Sequence, residues 1–183
     1  MSKLPRIAGL LSLIAGIIMI IAGLVTWNIV TSQLMDERIT VPQDAKPVMG
    51  IKVAGKEVKG PITAYGQAEI IKEHALHASE GKTYAELGAD VNAAKAELEK
   101  ATTDSEKEAA QAKVDAASAK RTTVMNGAFL RSSLFSSVIT YGVSALVAGL
   151  GLLFSLIGLA LMSIKDRLPA AVADRDGATR ATD

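Results

Sequence analysis

Two stretches of the chain carry no charged residue: Ile7 to Thr31 and Ser132 to Ile164. A bilayer core takes about 20 apolar residues of helix, so each run is long enough to span, with some left for tilt. No third run qualifies. The pattern predicts a mainly α chain. It has a two-helix transmembrane hairpin, residues 7–31 and 132–164, and a small extracytoplasmic α+β domain at 32–131. Residues 1–6 form a cytoplasmic N-terminus, and 165–183, rich in Ala, Asp, Arg and Thr, a disordered cytoplasmic tail.

The first run repeats Ile-Ala-Gly at 7–9, 14–16 and 21–23. Residues seven apart share a helix face, so Gly9, Gly16 and Gly23 form one smooth stripe. The second run offers Gly142 with Gly149, and Gly151 with Gly158. In lipid, helices associate by close backbone approach over small residues. The nearest partner for one stripe is the other span; a stripe left over would suit a partner protein. The length of the first run, its lack of an A-x-A site and Trp27 near its end favour a retained anchor over a cleaved signal.

Short flanks set the orientation. Lys3 and Arg6 precede the first span; Lys165 and Arg167 follow the second. Positive charge therefore favours both termini in the cytoplasm of a multi-pass plasma-membrane protein. The segment 32–131 holds 14 Lys/Arg and 15 Asp/Glu. A segment of that length crosses largely regardless of charge.

Within it, residues 38–63 alternate apolar and polar, with Gly55 at a turn. This predicts a β-hairpin pairing Ile51–Val53 with Glu57–Lys59, kept short by Pro42, Pro47 and Pro61. Ala68, Ile71, Ala75 and Leu76 recur at helical spacing, predicting a helix over 64–80 that is capped by Thr63 and stopped at Gly81. Thr83-x-x-Glu86 and Thr103-x-x-Glu106 have the form of capping boxes. Residues 90–121 are Ala, Lys and Glu with a thin apolar face of Val91, Leu98 and Val114. They read as a helical arm of two antiparallel helices turning at 102–105, or as one long helix. From Thr122 the chain connects back to the second span.

Composition narrows the chemistry. The net charge of +1 gives no argument for nucleic acid. There is no cysteine, hence no disulfide, iron–sulfur site or thiol nucleophile. No G-x-S-x-G or phosphate loop is present. Tyr141 is the one ionisable side chain in the spans, and proton or ion pathways usually need more. The two histidines, His74 and His77, lie at i and i+3. With Glu73 or Glu80 they could supply two nitrogens and a carboxylate to a metal. H-x-x-H is a short pattern that arises easily in a helix, and two exposed helix residues are the plainer reading. No cofactor and no small-molecule substrate is indicated. The expected partners are the lipid bilayer and another membrane protein or a second copy of the chain.

Three blocks together, SKLPRIAGLLSLIAGIIMIIAG, KGPITAYGQAEIIKEHAL with GKTYAEL, and TTVMNGAFLRSSLFSSVITYGVSALVAGLG, resemble a family of small actinobacterial membrane proteins. Its members often carry the inherited name of aromatic ring-opening dioxygenase, LigA-like. The resemblance covers about two-thirds of the chain and implies two spans around a short exported domain. It also implies a histidine kept at position 74. A single histidine in a membrane hairpin does not make the ferrous site that the name requires, so the expectation is a non-catalytic accessory or scaffold protein. The arm at 90–121 departs from the family form as an insertion.

Overall fold

The computed structural model describes residues 4–163; the expected tail at 165–183 lies outside them. Among the described residues there are four helices and no strand: α1 (Leu4–Asp36), α2 (Pro61–Ala78), α3 (Tyr84–Lys100) and α4 (Asp104–Ser163). The chain divides into two compact units. One takes residues up to Val30 and from Thr140 onward; the other is Thr31–Ile139.

In the first unit, α1 and the C-terminal part of α4 pack antiparallel. Each contains an apolar window that is long enough to cross a membrane, with mean hydropathy 2.6 and 2.4, and each window is only 17% buried. The small residues lie inside and the large ones outside. Gly9, Gly16, Gly23, Ser144, Gly151, Ser155 and Gly158 are buried, whereas Ile18, Leu24, Leu146 and Leu152 are exposed. Near one end, the Trp27 and Tyr141 rings meet edge to face with centroids 4.6 Å apart.

The second unit is helical with an irregular loop, which corrects the expected α+β domain. The predicted hairpin of 51–53 with 57–59 does not form. Residues 39–41 pair instead with 56–58: Val41 N–H donates to Lys56 O at 2.9 Å and Val58 N–H to Ile39 O at 2.9 Å. Lys56 N–H donates to Val53 O across the Gly55 turn at 3.0 Å. This register buries Val41, Val53 and Val58 together. The prolines keep the pairing to a single isolated bridge, Thr40 with Glu57. A second bridge joins Val48 and Ile51. Its two central residues, Met49 (φ 50°) and Gly50 (φ 78°), both have positive φ, as a type I′ turn requires.

The helix boundaries also shift. α2 starts at Pro61, ahead of the predicted start at residue 64, because proline suits the first helical position; Thr63 Oγ1 donates back to Gly60 O at 3.1 Å. α2 ends where Gly81, at φ 83°, donates its N–H to Leu76 O at 2.7 Å. Both capping boxes form. Glu86 bonds the Thr83 N–H at 2.7 Å and Glu106 bonds the Thr103 N–H at 2.9 Å. The arm is thus α3 and the start of α4, packed along Val91, Ala94, Ala110 and Val114.

From Thr122 the chain leads back to the second apolar run as expected, and it does so as helix: α4 runs from Asp104 to Ser163 without a break. Gly127 does not interrupt it. A Cβ there would lie 3.1 Å from the Ala75 Cβ, so this glycine lets α2 approach α4 closely. Tyr65 against Phe135, centroids 5.7 Å apart, and Arg131 Nε donating to Ala68 O at 3.2 Å extend the same contact.

Candidate helix-packing interface and histidine region

The glycine repeat of α1 meets α4 at matching seven-residue steps. A Cβ built on Gly9 would lie 2.8 Å from Gly158 O, one on Gly16 would lie 2.5 Å from Gly151 O, and one on Gly23 would lie 2.7 Å from Ser144 O. Side chains do not tolerate such distances to backbone, so the two helices approach this closely only because Cβ atoms are missing. From the other side, Cβ atoms on Gly151 and Gly158 would lie 2.6 Å from Gly16 O and Gly9 O. The contact carries hydrogen bonds as well. Ser12 Oγ donates across it to Phe154 O at 2.8 Å, and Ser155 Oγ turns back on its own helix to Gly151 O at 2.8 Å.

Gly142 and Gly149 are not part of this contact. Nothing within 4 Å would meet a Cβ on either, and both are exposed. The seven glycines singled out from the sequence therefore fall into a packed set of five and an outward pair. Tyr141 is nearly fully buried beside Trp27; it serves packing in this unit.

The structure does not bring the histidine region together as a metal-binding set. His74 Nε2 lies 2.8 Å from Asp44 Oδ2. Glu73 is taken by Lys46 Nζ at 2.5 Å, and Glu80 by Lys120 Nζ at 2.6 Å. His77 is exposed in the last turn of α2. Among the described residues no group of three or more His, Asp or Glu could hold a metal ion. The pairings shift the partners. Hydrogen bonding to His74 holds the Asp44 carboxyl below its ordinary value. The Glu73 hydrogen bond raises Lys46, and the Lys120 hydrogen bond lowers Glu80. Glu73 and Glu80 are each committed to a lysine and Asp44 to the His74 ring, and the region works as a set of surface ties from the 37–60 loop and from α4 onto α2 and its C-terminal turn.

Sequence reading missed the role of Asp44, which is remote from His74 along the chain. Two nearby loop charges, Asp44 and Lys46, opposite the adjacent pair Glu73 and His74, are the only trace of it in the sequence. No family model, curated protein or solved structure matches the chain.

Proposed function

We propose that this chain is an integral membrane accessory or scaffold protein of the actinobacterial cell envelope. It forms a two-helix hairpin with both termini in the cytoplasm and residues 32–131 outside, has no catalytic role, and binds another membrane protein. The actinobacterial setting and the plan of two spans around an exported domain are what the sequence resemblance implies. One observation carries the reading: two helices long and apolar enough to cross a membrane pack through glycines and leave their large side chains outward. Such a surface suits lipid, where large apolar side chains lose nothing by facing out. A core helix of a water-soluble protein would be mostly buried, and 17% is far from that.

The outward pair Gly142 and Gly149 marks the face on which a further transmembrane helix would fit, since the other glycines are used within the hairpin. The donor sets around His74 and His77 give no comparable support for a metal-dependent enzyme, because both candidate carboxylates are bound by lysines.

The test is gentle extraction of native membranes, separation on a native gel and mass spectrometry of the proteins that travel with this one. A defined set of membrane proteins that is lost in Gly142→Leu/Gly149→Leu, with the hairpin intact, supports the reading. Migration of the chain with itself alone, abolished by the same variant, would replace it with self-assembly. Migration as a lone monomer would sink both. Recovery in the soluble fraction would refute the membrane assignment itself.

A further inference from the structure

The second unit has an apolar cleft of about 230 Å³ beside the contact of α2 with α4. Its floor is Ala75, Leu76, Val124 and Ala128. Lys72 and Arg131 stand at its rim, and Tyr84, at the start of α3, lines it too. The guanidinium of Arg121 sits 4.2 Å from the centre of the Tyr84 ring.

The charges around this cleft are unbalanced. Among the described residues, these carboxylates nearby in sequence are engaged: Glu80 by Lys120, Asp90 by Lys82, Glu73 by Lys46 and Glu86 by the Thr83 capping box; Glu69 lines a different cleft, and no carboxylate lines this one. Among the same residues, Lys72, Arg121 and Arg131 have no carboxylate within ion-pair distance, while six other pairs are formed. Arg121 Nε is buried with no hydrogen-bond partner, and Arg131 uses its Nε on Ala68 O, which leaves its terminal nitrogens as donors. An apolar floor with cations at its rim complements a molecule that has an apolar chain and an anionic head. The size limits it further. Pockets for drug-sized ligands run to about 300–1,000 Å³, so this smaller cleft covers a segment of one chain and has no room for two chains side by side.

We propose that the cleft between α2 and α4 binds a single-chain anionic amphiphile, such as a long-chain carboxylate. The chain lies on Ala75, Leu76, Val124 and Ala128, and Arg131 and Lys72 hold the head. The inference stands on the second unit alone and does not need the apolar helices to cross a membrane.

The test uses the full chain in neutral maltoside micelles with a diazirine-bearing hexadecanoic acid, the labelled residues being mapped by mass spectrometry. Labelling is expected on residues 72–76 and 124–131. It should fall by about tenfold in Lys72→Glu, the loss of one charge-assisted contact, and in Ala128→Trp, which fills the floor. Both positions are exposed, and circular dichroism checks the fold of each variant; Ala128→Trp decides alone if the other fails to fold. Label confined to α1 and residues 140–163 would overturn the proposal. So would equal labelling by the matching neutral alcohol, unchanged labelling in a folded Ala128→Trp protein, or displacement of the probe by inorganic phosphate alone. Labelling by a diazirine phosphatidylglycerol in place of the single-chain acid would also overturn it.

Discussion

The two units of this protein pack by opposite rules. In the first, glycine and serine lie inside and leucine and isoleucine outside. In the second, valine, leucine and isoleucine lie inside with alanine, and lysine and glutamate lie outside. Both use helices in antiparallel contact, so helical geometry is not the difference. What differs is the solvent for which each surface is suited. In water, burying large apolar side chains supplies the drive, at roughly 25 cal/mol per Å². Against lipid that drive is absent, and the gain comes from backbone-to-backbone contact that large side chains would prevent. The same helical periodicity therefore selects glycine in one unit and valine or alanine in the other.

Truncating a large side chain should separate the two units most sharply. Leu87 is 1% exposed in the second unit. Leu87→Ala should cost about 2–5 kcal/mol, read as a lower denaturation midpoint of the arm. Leu152→Ala, at a position 56% exposed on the apolar surface of the first unit, should leave hairpin stability in detergent unchanged. An equal effect at both sites would break the comparison.

Enlarging a small residue reverses the ranking. Gly16→Leu places a side chain where even a Cβ lies 2.5 Å from Gly151 O. The helices must part, at a cost of at least about 1–3 kcal/mol, which spin-label distances between α1 and the end of α4 would report. Gly142→Leu should leave that distance unchanged, because a Cβ there meets nothing.

Smaller effects belong to the second unit. Thr103→Ala removes the side-chain cap on the Glu106 N–H and should cost about 1 kcal/mol. Met49→Asn, at a 93% exposed position with φ 50°, should stabilise the unit by up to about 1 kcal/mol, because asparagine accepts positive φ in a type I′ turn more readily than methionine. Denaturation midpoints of the two variants check both values.

Acid should act on the arm through its caps. Backbone hydrogen bonds from Thr103 and Thr102 lower Glu106 from 4.5 to about 2. A depressed folded-state value means that the contribution is fully present above pH 4.5 and is lost as pH falls towards 2. Protection from hydrogen exchange at the start of α4, taken relative to the intrinsic exchange rate at each pH, should therefore fall over that window. Glu106→Gln should flatten the dependence. A profile that is unchanged in the variant would show that the cap does not set it.

Legibility in the sequence followed the range of the interaction. The turn between α3 and α4 and both capping boxes depend on residues close together along the chain, and they stand where the pattern of Thr and Glu puts them. The stop at Gly81 is equally local. The register of the 38–63 loop is not legible in the sequence, because two alternating pairings satisfy the same pattern. Val41 and Val58, from opposite ends of that loop, settled it by sharing their burial. The conformation of Thr122–Ser133 is not legible in the sequence, because Thr, Asn and Gly are weak helix formers; the close approach of Ile71 and Ala75 to Gly127 accompanies its helical path.

By itself, the order of residues determined two apolar helices of spanning length, a polar domain between them, the caps that start α3 and α4, and glycines spaced to share a helix face. Those properties follow from composition and from short periods, which the chain carries wherever it folds. Tertiary structure decided which glycines are used. A spacing of seven gives Gly142 and Gly149 one face and Gly151 and Gly158 another, but it does not say which face α1 will cover. Tertiary structure also gave Glu73 and Glu80 to lysines remote from them in sequence, Lys46 and Lys120. A charge takes the partner that folding brings within reach, and that partner need not be its neighbour along the chain.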